Sequence, residues 1–157
     1  MNNSTYPLVE FLQQHGVAHR VLPHRTPTKS IEETAEQRGI RTCQMVKSIG
    51  LRDMDNNYAL ACVPGNRQAD PKKVRALLNS RRMTCLTAQE LVEITGYQLG
   101  CVTPLALKTP MPIFFDPSLL AETEVTISSG SNMAGIALNC QDLINLCQPT
   151  IADICRD

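Results

Sequence analysis

Apolar residues recur along this chain at two spacings, one typical of helices and the other typical of strands. Leu8, Phe11 and Leu12 lie on one stripe of a helix predicted over Pro7–Gln14. That helix should end near Gly16, because glycine readily adopts the left-handed conformation that closes a helix. The first segment is therefore predicted to pack one apolar face against a core.

Three further helix starts are marked by residues whose side chains can cap a first turn, namely Ser30, Asp70 and Thr87. Ser30 and Thr87 are each followed three residues later by Glu, which is the spacing of a capping box. The helices predicted after the first cover Ile31–Arg38, a segment from Pro71 to Asn79, a short segment closed by Gly96, and Gln141–Leu146.

Seven short runs rich in apolar and β-branched residues predict strands. They are residues 17–22, Met45–Leu51, Tyr58–Val63, residues 83–86, Ile113–Phe115, Val125–Ser128 and Ile136–Leu138. The polar turn at Asp53–Asn57 separates the second run from the third, so these two strands should pair antiparallel. Helices alternate with strands and no repeat is visible, which predicts one mixed α/β domain over residues 1–157.

The composition is that of an ordinary globular protein, with 43% hydrophobic and 19% charged residues. The first ten residues lack the basic and apolar regions of a secretion signal, and no window approaches a membrane span. A cytoplasmic protein with no membrane partner is therefore expected. Aromatic residues are only 4% and Trp is absent, so any stacking on nucleobases must use few side chains.

Cysteine and histidine give no sign of a metal site or of a disulfide framework. The seven cysteines are odd in number and never have C-x-x-C spacing, so they are interpreted as reduced thiols. His15 and His19 are four residues apart, but Gly16 between them should end the helix that metal ligands at this spacing require. Together with His24 they are interpreted as surface or strand histidines, and no cofactor is expected.

The net charge is zero, but basic and acidic residues are unevenly distributed. Residues 1–108 hold 14 Lys and Arg against 9 Asp and Glu, whereas residues 109–157 hold 1 against 6. The densest basic stretch supplies Arg67, Lys72, Lys73 and Arg75, which are the predicted contacts to nucleic-acid phosphates. The alternative is that this stretch is a solvated helix face.

The sequence lacks the motifs of nucleophile elbows, P-loops, zincins and dinucleotide-binding folds. Lys47 is the most specific single candidate for a functional residue, because it lies within an otherwise apolar predicted strand. An ammonium there is costly unless it faces an anion such as a substrate phosphate. The alternative is that strand alternation directs Lys47 to solvent.

A second candidate is the loop Gly96–Pro104, whose glycines and proline let a backbone approach a ligand and present fixed N–H donors. Such donors would bind an oxyanion. Ser128, Ser129 and Gly130 follow a predicted strand and offer a similar set of backbone and hydroxyl donors. Each segment is equally compatible with a purely structural turn.

Six short motifs, taken in order, resemble the YbaK and prolyl-tRNA synthetase associated editing family. They are V-K-S at 46–48, V-P-G-N-R at 63–67, L-T-A-Q-E-L at 86–91, T-G-Y at 95–97, G-C-V-T-P at 100–104 and S-S-G at 128–130. The resemblance extends from about Leu8 to Leu146. It implies a curved, largely antiparallel mixed sheet flanked by helices, and hydrolysis of the ester of mischarged tRNA.

The resemblance also implies roles for individual residues. Lys47 is expected to hold the terminal nucleotide, and Gly100 and Pro104 to form the loop beside the scissile ester. The substrate-binding residues implied are Cys101, Val102 and Thr103 in that loop, Ser129 and Gly130 on the opposite wall, and Thr28 in the segment that borders the amino-acid side chain. No metal is implied, since family members are thought to use groups of the substrate itself for assistance.

The expected substrate is a mischarged tRNA for proline, with prolyl-tRNA synthetase as a further partner. Cys, Ala, Ser and Thr all stay open as the amino acid removed, because the segment His24–Lys29, which borders that side chain in the family, is too variable to decide among them. Gly100-Cys101 and Thr103 stand where many relatives have Gly-Gly and Ser, so the pocket size also stays open. One rival hypothesis keeps the fold without catalysis, as a module that binds tRNA ends or a synthetase. Another makes Cys101 a nucleophile.

Overall fold

The computed structural model describes residues 6–157. The expectation that the first ten residues form no secretion signal therefore lies half outside the described residues. Five α-helices are present in the described part: α1 (Pro7–Gln14), α2 (Ile31–Arg38), α3 (Pro71–Leu78), α4 (Ala88–Thr95) and α5 (Cys140–Cys147). The strands are β1 (His19–Pro23), β2 (Val46–Asp53), β3 (Tyr58–Pro64), β4 (Met83–Cys85), β5 (Ile113–Phe115), β6 (Glu124–Ser128), β7 (Ala134–Asn139) and β8 (Thr150–Ile151).

The strands form two sheets. An antiparallel sheet has the order β1, β7, β6, and a mixed sheet has the order β4, β2, β3, β5, β8. An isolated parallel bridge between Met45 and Thr126 joins the two. The mixed α/β fold with largely antiparallel pairing is confirmed, including the predicted hairpin of β2 and β3, but its strands are divided between two sheets.

The central strand β3 separates two apolar clusters. Leu60 and Cys62 belong to the larger cluster, which also contains residues of α1, α4, α5 and the antiparallel sheet. Ala59, Ala61 and Val63 alternate with them and belong to the smaller cluster, which includes Val74 of α3. Both faces of β3 are buried, so the strand is apolar throughout instead of alternating with polar residues.

The three predicted caps form, but the capping box expected at Ser30 is incomplete, because the Glu33 carboxylate accepts from Lys29 N. Ser30 Oγ accepts a hydrogen bond from Glu33 N, Asp70 accepts from Lys72 N, and Thr87 and Glu90 form a capping box. Strand β8 was not predicted, because its two residues are exposed and too few to show a pattern. Within residues 6–157, no helix is long and apolar enough to cross a membrane.

Candidate functional site

A cavity of about 390 Å³ lies between α2, β2 and the loop that follows α4. Apolar side chains form much of its wall, namely Ile31, Met45, Val46, Ile49, Leu86, Leu91, Leu99 and Val102. Polar groups are contributed by His24, Thr28, Thr34, Arg38, Lys47, Ser48, Ser128, Ser131 and Asn132. Gly50, Cys85 and Gly100 complete the lining. Four of the predicted site residues therefore line this cavity, namely Thr28, Lys47, Gly100 and Val102.

Lys47 lies in β2 opposite Val63, and its side chain is half-buried. The ammonium donates hydrogen bonds to the main-chain carbonyls of Gly65, at 3.4 Å, and of Arg67. Burial lowers the pKa of this ammonium, while Cys155 and Glu32 act in the opposite direction. Lys47 is therefore directed neither to open solvent nor to an anion, and two of its three N–H groups are used by backbone carbonyls.

The loop after α4 presents backbone donors at the cavity. Gly100 has φ +84, a conformation that L-residues rarely adopt, and a Cβ built there meets no atom within 4 Å. Cys101 N–H is already used, because it donates to Gln98 O at 2.9 Å. The N–H groups of Leu99, Gly100 and Val102 have no acceptor among the described residues, and all three residues line the cavity. These are the unpaired backbone donors on the cavity-lining residues of this loop.

Three other predicted residues of this loop, Cys101, Thr103 and Pro104, are buried outside the cavity lining. Thr103 is fully buried, and its Oγ1 has no hydrogen-bond partner in the described structure. Burial raises the pKa of the Cys101 thiol, which favours the protonated form over a nucleophilic thiolate. Cys101 thus has the surroundings of a packing residue.

Ser129 and Gly130 shape the turn after β6 instead of forming the cavity wall. Ser129 is fully buried and its hydroxyl donates to Ala134 O at 2.8 Å, which holds the turn closed. Gly130 N donates to Ser128 Oγ at 3.1 Å, and Ser128 is the member of this motif that lines the cavity. The wall expected from the resemblance is therefore contributed by the neighbouring residue.

The interpretation of His24 as a surface or strand histidine is wrong. His24 follows β1, is buried and lines the cavity. Its Nδ1 lies 2.8 Å from Asn132 O, and its Nε2 lies 3.1 Å from Arg38 Nε. Burial lowers the pKa of His24, the hydrogen bond with Asn132 raises it, and the charge of Arg38 lowers it further.

Arg38 was not among the predicted site residues, because basic residues are common in the last turn of a helix. In the structure its guanidinium also donates to Thr126 Oγ1 at 2.9 Å and lies directly over Gly135 of β7, where a Cβ would collide with it. A glycine inside a predicted strand is a sign of close approach by another group. Gly135 is therefore the one signal in the sequence that pointed to Arg38.

The basic stretch is only partly available to a polyanion. Lys72 and Arg75 are exposed on α3. Lys73 instead donates to Asp157 at 2.8 Å, to Asp153 at 3.2 Å and to the main-chain carbonyl of Cys155, which ties α3 to the C-terminal segment. Arg67 forms a long ion pair of 3.8 Å with Asp116 and keeps 42% of its side chain exposed.

Titratable side chains do not assemble into a metal site in the described part of the chain, where no group of three or more His, Cys, Asp or Glu is placed to hold an ion. The seven cysteines are free thiols. The lining offers ammonium, guanidinium, imidazole, hydroxyl, amide and thiol groups and carries no carboxylate, which suits an anionic or carbonyl-bearing ligand.

Comparison with known proteins bears directly on this arrangement. The family model of the aminoacyl-tRNA editing domain matches residues 25–146. The multifunctional Ser/Thr-tRNA deacylase ProXp-y of Escherichia coli (strain K12) is 24% identical over 153 residues, which cover 95% of this chain and 91% of that protein. The proline–tRNA ligase of Bacillus licheniformis is 33% identical over 93 residues, which cover 59% of this chain and 16% of the ligase.

Among solved structures, a candidate trans-editing enzyme for prolyl-tRNA synthetase superposes with a TM-score of 0.89 at 25% identity. The superposition covers 100% of this chain and 99% of that protein. Since both chains are covered along their length, the similarity concerns the whole fold. The matches together indicate an editing function on aminoacyl-tRNA.

Proposed function

The chain belongs to the aminoacyl-tRNA editing domain family, and we propose that it hydrolyses the ester of mischarged aminoacyl-tRNA in the cavity beside β2. Editing is chemically necessary because a synthetase pocket discriminates a slightly smaller or near-isosteric amino acid by only about 1–3 kcal/mol. A second, hydrolytic site removes what the first site accepts. One relative is named a tRNA deacylase, which supports the same reaction for this chain.

One observation carries this proposal, the unpaired N–H groups of Leu99, Gly100 and Val102 on the cavity-lining loop. When water attacks an ester carbonyl, negative charge develops on the carbonyl oxygen and needs donors that are already in place. Backbone donors fixed by the positive φ of Gly100 meet this requirement without reorganisation. Hydrolysis of an activated ester requires little else beyond positioning of the substrate, which the mostly apolar cavity wall supplies.

Lys47 is the group proposed to bind the phosphate of the terminal nucleotide. Its ammonium now satisfies two main-chain carbonyls, Gly65 O and Arg67 O. The third N–H group of the ammonium has no acceptor among the described residues, so a phosphate, which is a stronger acceptor than a neutral carbonyl, can bind without displacing either of them. No side chain in the cavity has the arrangement of a general base with an orienting acid, which is consistent with assistance by the ribose hydroxyl of the substrate.

The proposed substrate is mischarged tRNA for proline, and prolyl-tRNA synthetase is a proposed partner. This narrower assignment is supported by the similarity to proline–tRNA ligases and to a candidate trans-editing enzyme for prolyl-tRNA synthetase. Such a protein hydrolyses mischarged tRNA either in free solution or while it is bound to the synthetase. Comparing the deacylation rate with and without added synthetase tests the second possibility.

A deacylation assay with tRNA for proline charged in turn with Cys, Ala, Ser and Thr tests the proposal. Hydrolysis of at least one ester well above the rate without protein is the expected result. A substrate ending in 2′-deoxyadenosine should be hydrolysed poorly if the ribose hydroxyl assists. Tight binding of charged tRNA with no hydrolysis of any ester would instead identify a binding module of the same fold.

A further inference from the structure

Arg38 is a cation in the cavity wall without a carboxylate partner. Its hydrogen bonds within residues 6–157 go to two neutral acceptors, His24 Nε2 and Thr126 Oγ1, and it forms no ion pair with any described acidic side chain. Arg38 is partly buried, and because removing a charge from water is costly, an arginine in such a position is usually matched with an acid. The missing counter-group is the first indication of a ligand.

The neighbouring histidine cannot share the charge. Asn132 O is a carbonyl and can only accept, so the ring nitrogen beside it, His24 Nδ1, carries the proton. His24 Nε2 is then the unprotonated nitrogen that accepts from Arg38 Nε–H. A second proton on His24 would break this bond and place two cations together, so the imidazole stays neutral and the full positive charge stays on Arg38.

The guanidinium is held rigidly but is not saturated. Its Nε and Nη1 are fixed by His24 and Thr126, and its plane lies against the backbone of Gly135. A guanidinium has five N–H donors, and only two are used here. Nη2 has no partner and is not buried, and Arg38 lines the cavity, so the N–H groups of Nη2 are available to a ligand there.

This charge lies apart from the basic residues of α3 that are assigned to the tRNA backbone. Arg38 contacts β6 and β7 of the antiparallel sheet, whereas the exposed Lys72 and Arg75 lie on α3, which packs on the smaller apolar cluster across β3. Lys47 lines the same cavity as Arg38 and is assigned to a phosphate, and the loop donors are assigned to the ester carbonyl. The acceptors of the substrate that remain for Arg38 are those of the terminal adenosine and of the amino-acid side chain, and only the side chain differs between substrates.

We propose that the free N–H groups of Arg38 bind an oxygen acceptor on the side chain of the aminoacyl group, so that the site selects oxygen-bearing side chains over apolar ones of equal size. The inference rests on the proposed deacylase function and specifies its substrate class. Hydroxyl and carboxylate side chains share this chemistry. Ser and Thr represent the first kind, Asp the second, and Ala and Cys are controls without an oxygen.

The first test uses the unmodified protein and compares kcat/KM for tRNA for proline charged with Ser, Thr, Asp, Ala or Cys. Hydrogen bonds to a charged group predict that the Ser or the Asp ester is hydrolysed at least about tenfold faster than the Ala and Cys esters. A higher value for Asp than for Ser would identify the carboxylate as the preferred acceptor. Equal values for Ser, Asp, Ala and Cys would overturn the inference.

The second test asks whether Arg38 is the origin of the preference. Arg38→Met should lower the ratio of the Ser to the Ala rate by about tenfold or more, because only the acceptor-bearing ester loses a contact. Arg38→Lys keeps a cation and should retain a larger ratio than Arg38→Met. Arg20→Met is the matched control, since Arg20 is an exposed arginine of β1 that pairs with Glu124, and its ratio should not change.

A structural role of Arg38 would lower both rates together and leave their ratio unchanged, which also contradicts the proposal. If Arg38→Met does not fold, the ratio in Arg38→Lys and the selectivity of the unmodified protein decide the question. Failure of the deacylase function itself has a different signature, because then none of the five esters is hydrolysed by the unmodified protein.

Discussion

The ring of Tyr97 lies over Gly130, so that a Cβ on Gly130 would stand 3.4 Å from Tyr97 Cε1. This contact brings together the loop after α4 and the turn after β6, two motifs that are far apart in the sequence. The Tyr97 hydroxyl donates to Leu105 O at 2.6 Å and fixes the ring. The loop that carries the free N–H groups is therefore supported by the turn that contributes Ser128 to the cavity.

Gly130→Ala should destabilise the protein, because the residue has φ +93, which L-residues rarely adopt, although its new methyl group would make only an ordinary contact with the ring. The expected loss is about 1–3 kcal/mol in the free energy of unfolding, measured by urea denaturation. Tyr97→Phe keeps the ring and removes only one hydrogen bond, so it should cost about 1 kcal/mol. A Gly130→Ala protein as stable as the unmodified one would show that the positive φ carries no strain.

Gly100→Ala is expected to lower the deacylation rate at least about a hundredfold, the usual effect of spoiling an oxyanion site. A Cβ at Gly100 meets no protein atom, so the effect arises from the strained φ +84 and the displaced donors. Gly16→Ala is the matched control, since Gly16 has φ +66 and an equally open Cβ position at the end of α1. It should lose stability without losing activity.

Replacement of the Cys101 thiol distinguishes the oxyanion site from catalysis by a cysteine nucleophile. If the thiol is only a packing group, Cys101→Ser should retain deacylation within about tenfold, since an oxyanion site accounts for the larger losses. Cys85→Ser should behave in the same way, although Cys85 is exposed and lines the cavity. Inactivity of either variant, with an acyl-thioester trapped on the unmodified protein, would identify a nucleophile.

Exposed basic residues of α3 should contact tRNA through phosphates. Replacing Lys72 and Arg75 by Gln should weaken binding and reduce the salt dependence, with each lost contact lowering the slope of log K against log salt by about 0.7–0.9. Lys73→Gln should mainly lower stability, because Lys73 is bound to Asp153 and Asp157. The double variant contradicts this assignment if its salt slope equals that of the unmodified protein.

Asp116 makes the stability of the protein sensitive to acid. Burial raises the pKa of its carboxyl, but hydrogen bonds from Ser118 and Ile154 outweigh this and hold the pKa at about 2. Because the folded pKa lies below the unfolded one, the stabilisation is complete above about pH 4 and is lost as pH falls towards about 2. The shift corresponds to about 2 kcal/mol.

Asp116→Asn should therefore lower the free energy of unfolding by about 2 kcal/mol at pH 7, and the difference should shrink as pH falls from about 4 to about 2. Denaturation at several pH values provides the measurement. Asp55→Asn removes the same charge at an exposed position that pairs with Arg81 at 3.6 Å, and it should have little effect. A constant difference between Asp116→Asn and the unmodified protein across this pH range would contradict the account.

Local features of the fold were predictable because their causes are local. Ser30 and Thr87 cap helices through residues three positions away, which a sequence displays directly. The division of strands between two sheets was not predictable, since it depends on tertiary pairing such as the bridge from Met45 to Thr126.

The candidate site follows the same rule. Lys47 and Gly100 lie in motifs and were identified from the sequence. His24 and Arg38 were missed because their partners Asn132 and Thr126 are 108 and 88 residues away, and no local spacing records such a contact. Ser129 was assigned to the wall because a motif does not say which of its side chains points inward.

We propose that this cavity hydrolyses aminoacyl esters while Lys47 holds the tRNA end. One measurement tests this proposal most directly. The single-turnover deacylation rate of mischarged tRNA for proline is compared between the unmodified protein and Lys47→Ala, with folding checked by thermal denaturation. Loss of the charged contact, worth about 2–5 kcal/mol, predicts a rate lower by about 30-fold to several thousand-fold. A folded Lys47→Ala protein that hydrolyses the ester at the full rate would contradict the claim.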